Sequence, residues 1–276
     1  MKKKVEDLLE RLDEKIDEVK SSDEFKELLK TFSKFHNYSL QNTLLIKMQK
    51  PEATFVAGYK QWQEKFNRRV KKGEKGIAIL APFTYKTKEV KVREVVTSDG
   101  EVMEKEIEEE VKKTYFRPVY VFDISQTEGE PLPELDLSVE DELEFNLLDR
   151  LIGLARSESM QVEFKPLPDR LDGYIRGDTI TIKERANKTE RASILAHELA
   201  HYYLHQNIKD KEGLTKEIVE MEAEAVAFVV MDYFGVQIKA DKYLALYKQE
   251  YRLMESLKDI KSVARLILDY LTDRKS

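Results

Sequence analysis

Residues 193–204 read Ser-Ile-Leu-Ala-His-Glu-Leu-Ala-His-Tyr-Tyr-Leu, and their spacing decides what the second half of the chain is. The apolar flanks predict a buried helix from about Thr189 to His205. Residues four apart on a helix lie one above the other, roughly 6 Å apart. The imidazoles of His197 and His201 can therefore reach one metal ion. Glu198 then points at the open coordination position, where a carboxylate can take a proton from a bound water. Two solvated surface histidines are the plainer reading, but the flanks are apolar enough to bury the helix, and buried imidazoles need partners. With only 4 His in the chain, the pattern arises by chance in roughly one in a hundred chains of this length or fewer. It is the spacing of a zinc hydrolase, with Zn²⁺ as the expected cofactor.

A catalytic zinc usually takes three protein ligands and a water. Candidates for the third lie in Glu220-Met221-Glu222-Ala223-Glu224-Ala225-Val226-Ala227. Glu220 and Glu224 share a helix face. Glu222 is turned about 200° away and reads as solvated. The Ala223/Ala227 pair lets two helices approach closely. Glu220 is the expected ligand, with Glu224 hydrogen-bonding a ligand histidine to fix its tautomer. The reversed assignment of the two stays open. His205 lies about 12 Å along the axis from His197, too far to share the ion, and reads as a capping or packing residue. No glycine follows to turn the chain, so the extended three-histidine protease pattern is absent.

Composition sets outer limits. A chain of 276 residues, 41% hydrophobic and 36% charged, reads as one or two soluble globular domains. No apolar run reaches membrane-spanning length, and Met1 to Glu10 is a charged amphipathic stretch rather than a signal-peptide core. Without cysteine there is no disulfide framework and no thiolate metal site; a cytoplasmic location is the simplest expectation. The net charge of −6 hides an asymmetry: Lys34 to Arg93 holds 14 Lys/Arg against 4 acids, a net of +10. Such a split suggests a polyanion-binding module joined to something else.

The expected organisation is α+β, in two domains. Residues 1–130 open with helices (apolar positions Val5 to Val19, then Glu24–Phe35, Ser39–Gln49 and Gly58–Phe66). Strands follow over Ile77–Ala81, 89–96, 102–115 around a turn at Ser98-Asp99-Gly100, and Tyr115–Phe122. Residues 128–137 are a linker by composition. Residues 138–276 are mostly helical with a small sheet: a helix over Val139–Arg156, strands at Gln161–Pro166, Gly173-Tyr174 and Asp178–Ile182, the metal-site helix, Glu217–Phe234, and two closing helices over 241–249 and 252–272. Strand Thr179–Ile182 could pair with an extended peptide. Tyr174 is a weak candidate for oxyanion stabilisation.

His197-Glu198-Leu199-Ala200-His201, with Glu220-x-x-Ala223-Glu224 and Gly173-Tyr174, resembles the ImmA/IrrE zincin-like metallopeptidases and the C-terminal domain of ArdC-type antirestriction proteins. Position 224 departs from the ImmA/IrrE pattern, which usually has Asn or Asp there, and matches the ArdC pattern. In the first half, Phe35 to Asn42, Gln49 to Thr54, Gly58-Tyr59, Trp62, Arg69 to Ile77 and Tyr115 to Asp123 resemble the single-stranded-DNA-binding domain of ArdC. The resemblance implies a mobile-element or phage-defence setting in bacteria.

Single strands are held by basic grooves and aromatic faces on which bases stack. The basic stretch has both. Arg68, Arg69, Lys71, Lys72 and Lys75 cluster around a turn and suit phosphates. Tyr38 and Trp62 suit either core packing or base stacking. Phe55 and Phe66 read as core, and His36 as a packed histidine. Asn42 and Gln49 could contact bases or cap neighbouring backbone, and the resemblance favours bases. The acidic run Glu101–Glu110 reads as a solvated hairpin, with a DNA-mimicking arm as its alternative. The leading expectation is a single-stranded-DNA-binding protein with a zinc-dependent metallopeptidase domain and an unknown protein or peptide substrate. Two rivals stand beside it: a protective DNA coat with a structural or vestigial zinc site, and a protease that clears a specific repressor.

Overall fold

The computed structural model describes residues 22–96, 102–132, 137–184, 187–205, 214–238 and 253–272. The expected helix before Val19, the turn at 98–100 and the helix over 241–249 lie outside them. The architecture is α+β. In chain order the elements are helices α1 (Ser22–Lys34) and α2 (Leu40–Gln49), strand β1 (Val56–Gly58), α3 (Tyr59–Glu64), β2 (Arg68–Val70), β3 (Ile77–Val96), β4 (Val102–Asp123), a 3₁₀ turn and β5 (Thr127–Gly129). Then come α4 (Leu137–Ser157), β6 (Gln161–Lys165), β7 (Gly173–Arg176), β8 (Thr179–Lys183), α5 (Lys188–His205), α6 (Lys216–Tyr233) and α7 (Leu253–Thr272). No helix among the described residues is long and apolar enough to cross a membrane.

Strands β3 and β4 form one antiparallel ribbon, in register from Ile77↔Val121 to Val96↔Val102, where the sequence suggests shorter strands, with a gap from Pro82 to Lys88 and a division at Tyr115. The register explains why both prolines are tolerated. The amides of Ala78 and Leu80 point away from β4, donating to Gln49 Oε1 (2.9 Å) and Asn42 Oδ1 (2.8 Å). By the two-residue alternation of a strand, the nitrogen of Pro82 points the same way. Pro118, opposite Leu80, likewise turns its nitrogen outward on β4. Neither proline removes a ladder bond.

Asn42 and Gln49 complete that edge. Asn42 Nδ2 donates to Leu80 O (2.9 Å) and Gln49 Nε2 to Ala78 O (2.8 Å). Two carboxamides on one helix thus bond the exposed backbone of β3 as a neighbouring strand would, closing an edge that would otherwise be open. Ser39 caps α2, accepting from Asn42 N.

A single large core joins both halves of the chain. Phe25, Leu29 and Phe32 of α1 and Leu44 and Leu45 of α2 pack in the same cluster as Leu195 and Leu199 of α5, Val226 and Val230 of α6, and Ile260, Ala264 and Ile267 of α7. A smaller core of Phe35, Ile46, Val56, Ile77, Ile79 and Val121 seats the ribbon base. Two polar ties cross the same junction. Ser33 Oγ donates to Asp232 Oδ2. Lys261 Nζ, 5% exposed, donates to Phe35 O (2.8 Å) and Phe32 O (3.1 Å) at the end of α1.

Burial, aided by nearby Arg265, pushes the Lys261 ammonium down to about 7 from its usual value. The unfolded chain therefore binds the extra proton between about pH 7 and 10, and native stability rises with pH across that window through this group. Lys261→Met removes the dependence. Urea unfolding of both proteins is expected to show wild-type stability climbing relative to the variant from pH 7 to pH 9.5; a constant difference would contradict the burial cost.

Candidate metal centre and nucleic-acid surface

Helix α5 lies against α6, and small buried residues (Ala196 and Ala200 on one, Ala223 and Ala227 on the other) let the two backbones approach. That contact sets the side chains of both helices on one ion-sized space. His197 Nε2 and His201 Nε2 are 2.9 Å apart. Glu220 Oε2 lies 3.5 Å from the first and 3.7 Å from the second. These are the three donors, among the described residues, that could hold one cation. A tetrahedral ion with bonds of about 2 Å separates its ligand atoms by roughly 3.3 Å, and the observed triangle brackets that spacing. Two imidazoles and a carboxylate also suit a borderline divalent metal. Burial, with His197 adding to it, pushes the His201 imidazole down to about 4 against the opposing pull of Glu220. The ring is thus neutral at ordinary pH, the form that binds metal.

The neighbours complete the geometry. Glu224 Oε2 is 3.6 Å from His197 Nδ1, on the side of the ring away from Glu220. Glu198 is 7% exposed. Its carboxyl is pushed up to about 7 by burial; His197 opposes this and Glu220 adds to it. A cleft of about 1050 Å³ opens over these groups, walled by β7 on one side and by α5 and α6 on the other. Gly173 on β7 is why the strand can lie so close: a Cβ there would come within 2.7 Å of Ile194 Cγ2 and 2.9 Å of Glu198 Oε1. Tyr174, beside it, lines the cleft and is partly exposed.

Two expectations about this half need correction. Thr179–Ile182 cannot take an added peptide strand, because β8 is the middle strand of the order β6-β8-β7 and both its edges are paired. Strand β7 lies at the edge of that sheet, on the cleft. Glu222 does face away from the metal centre, but it is buried rather than solvated. Its Oε1 accepts from Ser256 Oγ of α7 at 2.6 Å, and its Oε2 lies 3.8 Å from His205 Nε2. His205 therefore serves the junction of α5, α6 and α7 and stands apart from the three converging donors.

The residues expected to hold nucleic acid divide sharply. Trp62 is fully buried and donates its indole N–H to Phe122 O at 2.9 Å, so its ring offers no face to a base. Tyr38 packs edge-on against Phe35 and donates its hydroxyl to Val56 O; it too belongs to the core. Asn42 and Gln49 are committed to the β3 edge. Arg68 spends its guanidinium on Thr127, Gly129 and Glu130, holding β2 to β5. Arg69, Lys71, Lys72 and Lys75 remain solvent-facing around the turn at Gly73. Arg69 pairs with Glu128 at 2.7 Å while both side chains stay largely exposed, a contact weak enough to exchange for a phosphate. Lys71 donates to Ser125 O. In the acidic run, Glu108, Glu109 and Glu110 pair across the ribbon with Lys88, Lys91 and Lys86, as a solvated hairpin does.

Comparison with known proteins assigns a family to each half of the chain. Residues 2–122 match the family model for the N-terminal domain of anti-restriction factor ArdC. Residues 155–263 match that for the IrrE N-terminal-like domain, a peptidase-family model. The class is thus an IrrE-like domain behind an ArdC N-terminal domain. In domain composition the chain is ArdC-type. An uncharacterized protein of Bacillus anthracis is 28% identical over 245 residues, which cover 78% of this chain and 41% of that protein; the chain thus spans less than half the length of that relative. The metal-free crystal structure of antirestriction ArdC from the R388 plasmid aligns with a TM-score of 0.46 at 19% identity, over 87% of each chain. Its Mn(II)-bound form aligns at 0.45 and 18%, over 86% of this chain and 90% of that one.

Two substitutions test these assignments. Gln49→Ala leaves the Ala78 amide and carbonyl without their carboxamide partner and is expected to cost about 1–3 kcal/mol in urea unfolding; no loss would free Gln49 for another role. Gly173→Ala drives a methyl group into Ile194 and Glu198 and is expected to cost about 1–3 kcal/mol by overpacking, read by the same measurement.

Proposed function

We propose that this chain is a single-stranded-DNA-binding protein with a zinc-dependent metallopeptidase domain, acting in the cytoplasm to protect mobile-element DNA. The observation that carries the peptidase half is the convergence of His197, His201 and Glu220 beneath an open cleft. These three residues would hold Zn²⁺, with Glu224 orienting the His197 ring through Nδ1. Bound there, zinc supplies Lewis acidity and makes a water ligand easier to deprotonate.

The remaining work falls to the chain's own groups. Glu198 holds a carboxylate at the floor of the cleft, where it accepts a proton and later returns one to a leaving amine. Strand β7 offers main-chain groups along the cleft, so an extended peptide would add to the sheet there. Tyr174 stands where its side chain can reach such a peptide.

The DNA half rests on the ArdC N-terminal domain and on the exposed cations Arg69, Lys71, Lys72 and Lys75. A protective DNA coat with a purely structural zinc remains the second reading, favoured by the extensive core that ties α1 and α2 to the helices of the metal centre.

Glu198→Gln separates the two. Zinc binding, followed by competition with a chromogenic chelator, is expected to persist while hydrolysis of peptide libraries ceases; hydrolysis at the wild-type rate would remove Glu198 from the chemistry. Glu224→Ala is expected to weaken zinc by about 10–100-fold in the same titration.

A further inference from the structure

We propose that the lower part of the β3–β4 ribbon, on the face bearing Phe83, Tyr85, Tyr115 and Arg117, is the surface on which single-stranded DNA stacks its bases. The inference rests on the DNA-binding reading above and gives it a site. None of these residues belongs to the basic turn.

Alternate residues of a strand share a face. On one face of the ribbon, Ile77, Ile79, Val119 and Val121 are held in the smaller core. The same face then runs out into solvent as the cross-strand pairs Ala81↔Arg117, Phe83↔Tyr115 and Tyr85↔Lys113. A contiguous run of exposed rings leaving a core is the kind of patch that marks an interaction surface. Tyr85 is 49% and Tyr115 45% exposed.

The rings brace one another. The Arg117 guanidinium lies 3.3 Å from the centre of the Phe83 ring. Phe83 and Tyr115 sit 6.0 Å apart at 35°, and Tyr115 and Tyr85 5.8 Å apart at 67°. Rings held in this way lose little freedom when a base lands on them. Arg117, stacked by its face, still presents the edge of its guanidinium to a phosphate.

Charge selects the occupant. Residues 81–86 and 112–117 contain Lys86, Lys112, Lys113 and Arg117 and no acid; Arg117 and Lys113 share the aromatic face, Lys113 paired with Glu89 at its outer end, while Lys86 and Lys112 lie opposite each other on the other face. Farther out, residues 87–92 and 106–111 hold two lysines against five glutamates. A polyanion is therefore attracted to the lower part of the ribbon and repelled from the outer part, which bounds the site to the aromatic section. A second copy of the chain would set the same cations against each other, and like charges oppose that pairing.

The experiment is a fluorescence-anisotropy titration of the full chain with a labelled oligothymidylate and with a duplex, at two salt concentrations. Wild type is expected to prefer the single strand. Tyr85→Ala and Tyr115→Ala, singly, are each expected to weaken it by about fivefold or more, and the double variant further. Tyr115→Trp keeps a stacking face and is expected to bind as wild type. Arg117→Ala is expected to lower the salt slope by about 1. The single variants alter exposed rings and carry the test even where the double variant melts early. If wild type binds the single strand and both Tyr variants bind within twofold of it, the ribbon site is wrong and the DNA-binding reading stands. If wild type binds no single strand, both fall. If the Tyr variants change sedimentation and leave DNA affinity unchanged, the stripe joins copies of the chain and the inference is overturned.

Discussion

The close contact of α5 with α6 is the constraint on which the functional reading depends. A helix alone sets two imidazoles over one point. It cannot supply the third donor, because the next residue on that face, His205, is too far along the axis to share an ion. The second helix must approach until a carboxylate meets the two rings, and alanines at 196, 200, 223 and 227, all buried, permit it. The approach costs something. It gathers two imidazoles and three carboxylates (Glu198, Glu220, Glu224) in a partly buried space, and burial there pushes the Glu198 carboxyl up and the His201 imidazole down, the latter against the pull of Glu220. A divalent cation relieves both strains at once, since it stabilises the carboxylates and takes the neutral ring as a ligand.

The same core carries this arrangement into the first half of the chain. Helices α1 and α2 bury their apolar faces against α6 and α7, and Lys261 of α7 holds the carbonyls at the end of α1. Helix α2 in turn grips the edge of β3 through Asn42 and Gln49. The ribbon and the metal centre are thus parts of one packed body with α2 between them. A purely structural role for the second half, as a platform for the ribbon, draws its force from this continuity.

Much of the convergence of the candidate donors was legible in the sequence because it depends on one number, the helical repeat. Histidines at 197 and 201, with glutamates at 220 and 224 in an apolar helix, admit few arrangements. The solvent-facing lysines of the Gly73 turn were legible for a similar reason: charge beside a glycine turn stays outside. What escaped was whatever depends on a neighbour distant in the chain. A carboxamide at 42 or 49 looks the same whether it meets a base or a strand edge, and only the register of β3 decides. Trp62 looks equally fit for a core or a platform until Phe122 O claims its N–H. Glu222 reads as solvated until α7 covers it with Ser256. The ribbon's length was hidden in part by Pro82, whose harmlessness follows only from which way its nitrogen points.

The most direct test of the account is X-ray absorption spectroscopy at the zinc edge on the full chain loaded with one equivalent of zinc, alongside His201→Ala and Glu220→Gln. The account predicts stoichiometric zinc with two imidazole nitrogens and a carboxylate oxygen at about 2.0–2.2 Å, with one of those scatterers lost in each variant. Failure to retain zinc, or identical coordination in wild type and both variants, would contradict it.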